Sequence, residues 1–133
     1  MRNILLAAVM IIVLVSCSFA QSEFEMKEGD TTYIMKKYYF CLLKRGPNKN
    51  IDSLKLAEIQ KGHLAHINKL VKEGKIALAG PFEGNFEYRG ILVFNTENKE
   101  EAERLQSMDP AIIEGRLVME IYPWWCAKGS KLQ

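Results

Sequence analysis

The chain has 133 residues, 48% of them apolar and 26% charged, which is enough for one folded core, too short for two, and too apolar for disorder. Its 18 Lys and Arg against 16 Asp and Glu leave a formal charge of +2, too balanced for a dedicated nucleic-acid binder. Three cysteines without a C-x-x-C spacing exclude a zinc ribbon and a disulfide-dense scaffold.

Arg2 precedes an uncharged run of 12 residues, Ile4 to Val15, which is short for a bilayer span and right for the core of a signal peptide. Ser18-Phe19-Ala20 offers a cleavage site, so residues 1–20 read as an export leader. Leu14-Val15-Ser16-Cys17 also resembles a lipobox, which would end a lipoprotein signal before Cys17 and make it a lipid anchor; membrane attachment is expected only in that case. Either exit places the protein in the periplasm or outside the cell. Residues 21–35 are polar and carry Gly29-Asp30, and read as a tether before a domain spanning 36–126, with 127–133 as a tail.

Lys36 to Arg45 reads as a strand with Tyr38, Phe40 and Leu42 on one side and Tyr39, Cys41 and Leu43 on the other, apolar on both faces. Asp52 or Ser53 caps a helix that runs to about Glu73 and stops at Gly74. At 100° per residue, Leu56, His63, Ile67 and Leu70 fall within about 60° of one another, with Leu64 and Val71 widening the stripe. Lys75 to Ala79 and Gly90 to Asn95 are two further strands. Asn98 with Glu101 marks a second helix that buries Ala102, Leu105 and Met108. Asp109-Pro110 opens a tight turn or a single helical turn, and Arg116 to Tyr122 is the last strand, ended by Pro123.

The order βαββαβ predicts an α+β ferredoxin-like sandwich, with four antiparallel strands and two helices on one face. The helices cover only one face, so the apolar other face is expected to meet a second copy, giving a homodimer packed sheet to sheet. Aligning the first and last strands as antiparallel neighbours sets Leu43 near Leu117 and Tyr38 near Tyr122. That separates Cys41 and Cys126 by about seven residues, roughly 23 Å, against the 7 Å or so a disulfide allows. No bridge is expected, and buried Cys41 is no nucleophile.

His63 sits at the centre of the buried stripe. An imidazole there is either a satisfied core histidine or a general base whose tautomer is set by a carboxylate. Asp109 is the candidate carboxylate, with helix capping as its ordinary role. His66 lies about 80° off the centre of the stripe, at its border. Arg89 and Arg116 are each either surface charges or a grip on an anionic substrate. Trp124 and Trp125 either seal an edge or stack on a planar ligand. His63 and His66 have no third residue at metal spacing, so no metal is expected, and no cofactor motif is present.

Gly62-His63-Leu64-Ala65-His66-Ile67, Glu73-Gly74-Lys75, Ala79-Gly80-Pro81-Phe82, Asp109-Pro110, Gly115-Arg116-Leu117 and Pro123-Trp124 together, in this order, resemble the YciI-like (YCII-related) family over about Lys37 to Trp125. The resemblance implies a dimeric α+β barrel built on the ferredoxin-like sandwich. It also implies an active-site pair made by a histidine of the first helix and the aspartate of the Asp-Pro turn, here His63 and Asp109. An export leader departs from the usual pattern of that family.

The resulting expectation is a small cofactor-free enzyme of lyase, isomerase or hydrolase type. His63 and Asp109 would be catalytic, with His66, Arg116 and Trp124 contacting a small cyclic or aromatic substrate. The alternative is a non-catalytic envelope module that binds a small ligand or a protein through the same cleft.

Overall fold

The computed structural model describes residues 22–133; the leader, Cys17 and the cleavage position after Ala20 lie outside the described residues. The strands are β1 (Glu23–Glu28), β2 (Thr31–Arg45), β3 (Ile76–Pro81), β4 (Tyr88–Phe94) and β5 (Leu117–Ala127). The helices are α1 (Ser53–Lys72), α2 (Lys99–Gln106) and the single turn α3 (Pro110–Ile113).

β2 pairs with β5 along one side and with β4 along the other, and β4 pairs with β3, all antiparallel. The spatial order β5-β2-β4-β3 is that of a ferredoxin-like sandwich, the architecture expected from the element order. Alternation along the central strands sends Tyr39, Cys41, Leu43, Leu92 and Phe94 to the helix side, where Ile59, Leu70, Ala102 and Leu105 close over them. Tyr38, Phe40 and Leu42 alternate onto the other face, where no helix of the described residues lies.

Residues 23–35 are not a tether. β1 folds back on the start of β2 in continuous register from Glu23↔Lys36 to Glu28↔Thr31. Gly29 makes the turn at φ +58°, the positive φ that the first central position of a two-residue hairpin requires. Phe24 then stacks edge-on against Trp125 at 4.8 Å. The segment is polar because both faces of this extension reach past the helices, so its strand character comes from pairing rather than from a buried face.

Four further expectations change. β5 continues through Pro123 to Ala127. Among the described residues it is an edge strand paired with β2 alone, and a proline lacking its N–H is tolerated at such an edge. Its register is displaced by two residues, with Leu43 opposite Met119 and Tyr38 opposite Trp124. Cys126 therefore lies opposite Lys36, five residues from Cys41 or roughly 17 Å, and both thiols are free. In α1, Ile59 joins the core while Leu56, Leu64 and Val71 stay exposed. In α2, Gln106 takes the buried place expected of Met108, because the helix ends before Met108 can turn inward.

Candidate active site

Asp52 caps α1 by accepting from the N–H groups of Leu54 and Lys55, which sets the helical phase that carries His63 inward. The preceding Gly62 is the unusual choice, since glycine inside a helix costs about 1 kcal/mol against alanine. Its reason is a close approach: a Cβ at position 62 would lie 2.9 Å from Pro110 Cγ. The missing side chain lets the Asp-Pro turn press against α1 and brings Asp109 up to His63.

His63 Nδ1 lies 2.6 Å from Asp109 Oδ2. Asp109 is fully buried, and each of its oxygens is used: Oδ1 accepts the Ala111 N–H at 2.8 Å, capping α3, while Oδ2 also accepts Gln106 Nε2 at 2.8 Å. Capping and histidine pairing thus coexist by dividing the carboxylate between them. Burial pushes the Asp109 carboxyl up, but the hydrogen bonds from His63, the Ala111 N–H and Gln106 outweigh it and hold the group below the ordinary carboxylate range. An ionised carboxylate only accepts, so the proton of neutral His63 sits on Nδ1 and the lone pair on Nε2.

The His63 side chain faces a cleft of about 770 Å³ between α1 and the ends of β2, β3 and β4 and the start of β5. Gln60, Leu56, Leu64 and Ile67 form the helix wall, and Ala79 to Pro81 and Arg89 to Leu92 form the sheet wall. Arg116 stands in the cleft, its Nη1 donating to Gln60 Oε1 at 2.6 Å. Burial, then the charge of Arg89, lowers the pKa of its guanidinium from the usual value.

Two of the expected substrate contacts lie elsewhere. His66 turns away from the cleft, its Nε2 meeting the Leu105 carbonyl of α2 at 2.9 Å; one step around the helix is enough to exchange the cleft for the neighbouring helix. Trp124 stands on the uncovered face of the sheet, 5.7 Å from the Phe40 ring and 6.4 Å from Tyr38, because it lies opposite Tyr38 in the ladder. Cys41 is fully buried, and burial followed by the charge of Asp109 raises its thiol to about 12, so it carries no thiolate chemistry.

Gln106 and Gln60 are the site residues that sequence reasoning missed. Gln106 is a polar side chain on the buried stripe of α2, three residues before Asp109, and Gln60 lies one helical turn before His63. Both signals are visible only to a reader who treats an inward glutamine as a positioning group. Among the described residues, no group of three or more His, Cys, Asp or Glu is placed to hold a metal ion.

No family model matches the sequence, and no curated protein matches it. Among solved structures, the chain is similar to a 5-chloro-2-hydroxyhydroquinone dehydrochlorinase from Burkholderia phenoliruptrix in complex with 2,5-dihydroxybenzoquinone. The TM-score is 0.51 at 21% identity, covering 65% of this chain and 92% of that one, a likeness of fold.

Proposed function

We propose that the protein is a small-molecule enzyme that works without a cofactor, using His63 as general base and Asp109 to fix and stabilise the imidazole. The observation that carries this reading is the 2.6 Å contact between His63 Nδ1 and the buried Asp109 carboxylate, on a ring that also lines an open cleft. An isolated core histidine needs no cleft, whereas a base needs both a partner behind it and space in front. Nε2 takes a proton from a ring carbon of a hydroxylated ring substrate that also carries a carbonyl, and the electron pair of that C–H bond enters the adjacent carbonyl as an enolate. The pair then either expels an anionic leaving group, completing an elimination, or takes the proton back at another carbon, completing an isomerisation. Asp109 stays ionised throughout and stabilises the imidazolium.

The test is deuterium uptake at ring C–H positions in heavy water, followed by proton NMR. The compound bound by the structural neighbour, 2,5-dihydroxybenzoquinone, is the first probe, and a panel of hydroxylated ring compounds follows. Wild-type protein is expected to accelerate exchange, and folded His63→Gln to return it to the buffer rate. Equal rates in the two proteins, or binding without exchange across the panel, would make the cleft a ligand-binding module.

The same reading includes export and self-association. The uncovered sheet face carries Tyr38, Phe40, Leu42, Val93 and Ile91, with Trp124, Tyr122 and Val118 exposed at 40%, 53% and 38%. An apolar sheet face of this kind is best buried against its own copy, since a two-fold axis makes a face complementary to itself. Native mass measurement is expected to give twice the protomer mass, and Phe40→Glu to reduce it to one; a wild-type protomer mass at micromolar concentration would refute the pairing.

A further inference from the structure

The charges around the cleft are one-sided. Among the described residues, Arg45, Lys49, Arg89 and Arg116 line it, and no Asp or Glu does. None of these four cations forms an ion pair among the described residues. Their hydrogen-bond partners are neutral: Arg116 is held by the Gln60 amide, Arg89 Nη1 by the Gly84 carbonyl at 2.9 Å, and Arg45 Nε by the Phe86 carbonyl at 3.2 Å. The two inner cations, Arg89 and Arg116, are half-buried residues that line the same cleft, and the charge of Arg89 disfavours that of Arg116. Gathering like charges in a partly desolvated cleft without a carboxylate costs stability, and neutral partners orient the guanidiniums without neutralising them. A structural role would have supplied a carboxylate. An anion in the cleft would supply the missing charge.

We propose that the cleft takes a small ring compound bearing an anionic oxygen group, a carboxylate or a ring enolate, gripped by Arg116 and Arg89 with the reacting carbon turned toward His63. This rests on the cleft being the site proposed above and names its substrate class. The spacing suits a single ring. Arg116 is anchored at Gln60, three residues before His63 on the same helix, so its anchor and the base are offset by about 4.5 Å along the helix axis. Arg45 and Lys49 are exposed at the rim, where they draw an anion inward without gripping it. The same guanidiniums would stabilise the negative charge that proton removal pushes into the carbonyl system, so grip and chemistry share one electrostatic source.

Binding of benzoate and of its neutral isostere benzamide, measured by titration NMR, tests the proposal in wild type, His63→Gln, Arg89→Gln and Arg116→Gln. Benzoate is expected to bind wild type at least about tenfold tighter than benzamide, and each arginine variant to lose about tenfold for benzoate and nothing for benzamide. His63→Gln is expected to keep the preference. Arg116→Lys retains the charge but not the fork, and should fall between wild type and Arg116→Gln, which keeps the test open if the latter folds poorly. Equal binding of the two probes, or benzoate affinity within about twofold of wild type in both arginine variants, would overturn the anion grip. If that occurs while His63-dependent exchange persists, the base assignment stands alone. If the arginine dependence appears without exchange on any probe, the grip stands and the catalytic reading falls.

Discussion

Asp109→Asn is expected to lower turnover by about 10²–10⁴-fold while leaving a folded protein. The reason is a count of donors. Three of them, His63 Nδ1–H, Gln106 Nε2–H and the Ala111 N–H, converge on two carboxylate oxygens. An amide has only one oxygen. If its NH2 faces His63, the imidazole must accept on Nδ1, so its proton moves to Nε2 and the base is lost to the cleft; Gln106 meets a second donor as well. If it flips, the NH2 opposes the Ala111 N–H and α3 loses its cap. Either orientation leaves a buried donor unsatisfied, at a cost of about 1–3 kcal/mol in stability, measurable by denaturant titration. Full turnover in the folded variant would make the pair structural.

The same substitution fixes the sign of a pH effect. The Asp109 carboxyl in the folded state is held below its unfolded value of about 3.9. Its stabilisation is complete above that unfolded value and is lost as pH falls through the lower folded value. Wild type is therefore expected to lose stability in that acid window, and Asp109→Asn to lose correspondingly less there. Parallel acid titrations of the two proteins would show otherwise.

Gly62→Val is the second large expected effect, and it acts without touching a charged group. A Cβ at 62 already falls 2.9 Å from Pro110 Cγ and 3.3 Å from Pro110 Cβ, and a proline ring can yield only by a change of pucker, too little to admit a branched side chain. The α3 turn must move, and Asp109 moves with it. The branched side chain forces a displacement approaching 1 Å, for which a loss of about 10²-fold in turnover is expected. Stability should change less than activity, because replacing an interior helical glycine returns part of what the clash costs. Gly62→Ala, with a smaller intrusion, should fall between valine and wild type. Steady-state kinetics beside thermal unfolding of the series checks this; unchanged kinetics in Gly62→Val would show that the Asp-Pro turn does not set the geometry of the pair.

These expectations mark where local pattern carries information. The inward direction of His63 follows from helical phase, and the start of α3 from Asp109 capping with Pro110 at the first helical position. Both depend on neighbours within one turn, which is why they were legible. Trp124 and His66 lie outside the cleft for different reasons. A strand register off by two residues leaves every face unchanged, so Trp124 falls on the face of Tyr38, away from α1, in either register. A helical residue at the border of a stripe is claimed by whichever element packs beside it, and here α2 claims His66.

The amino-acid sequence by itself determined the βαββαβ order from Lys36 onward, the two-sided apolar central strands, the inward face of His63 and the capping place of Asp109, because each is written in periodicity, caps and turns over a few neighbouring positions. Only the tertiary structure decided that residues 23–35 become a hairpin, that Gln106 completes the carboxylate's partners, and that cations from three strand ends and a loop meet in one cleft without a counter-charge. His63 and Asp109 are 46 positions apart, and Arg116 and Gln60 are 56 apart. Contacts over such separations depend on how the helix layer settles on the sheet, and at Gly62 the absent Cβ leaves room for Pro110 against the helix.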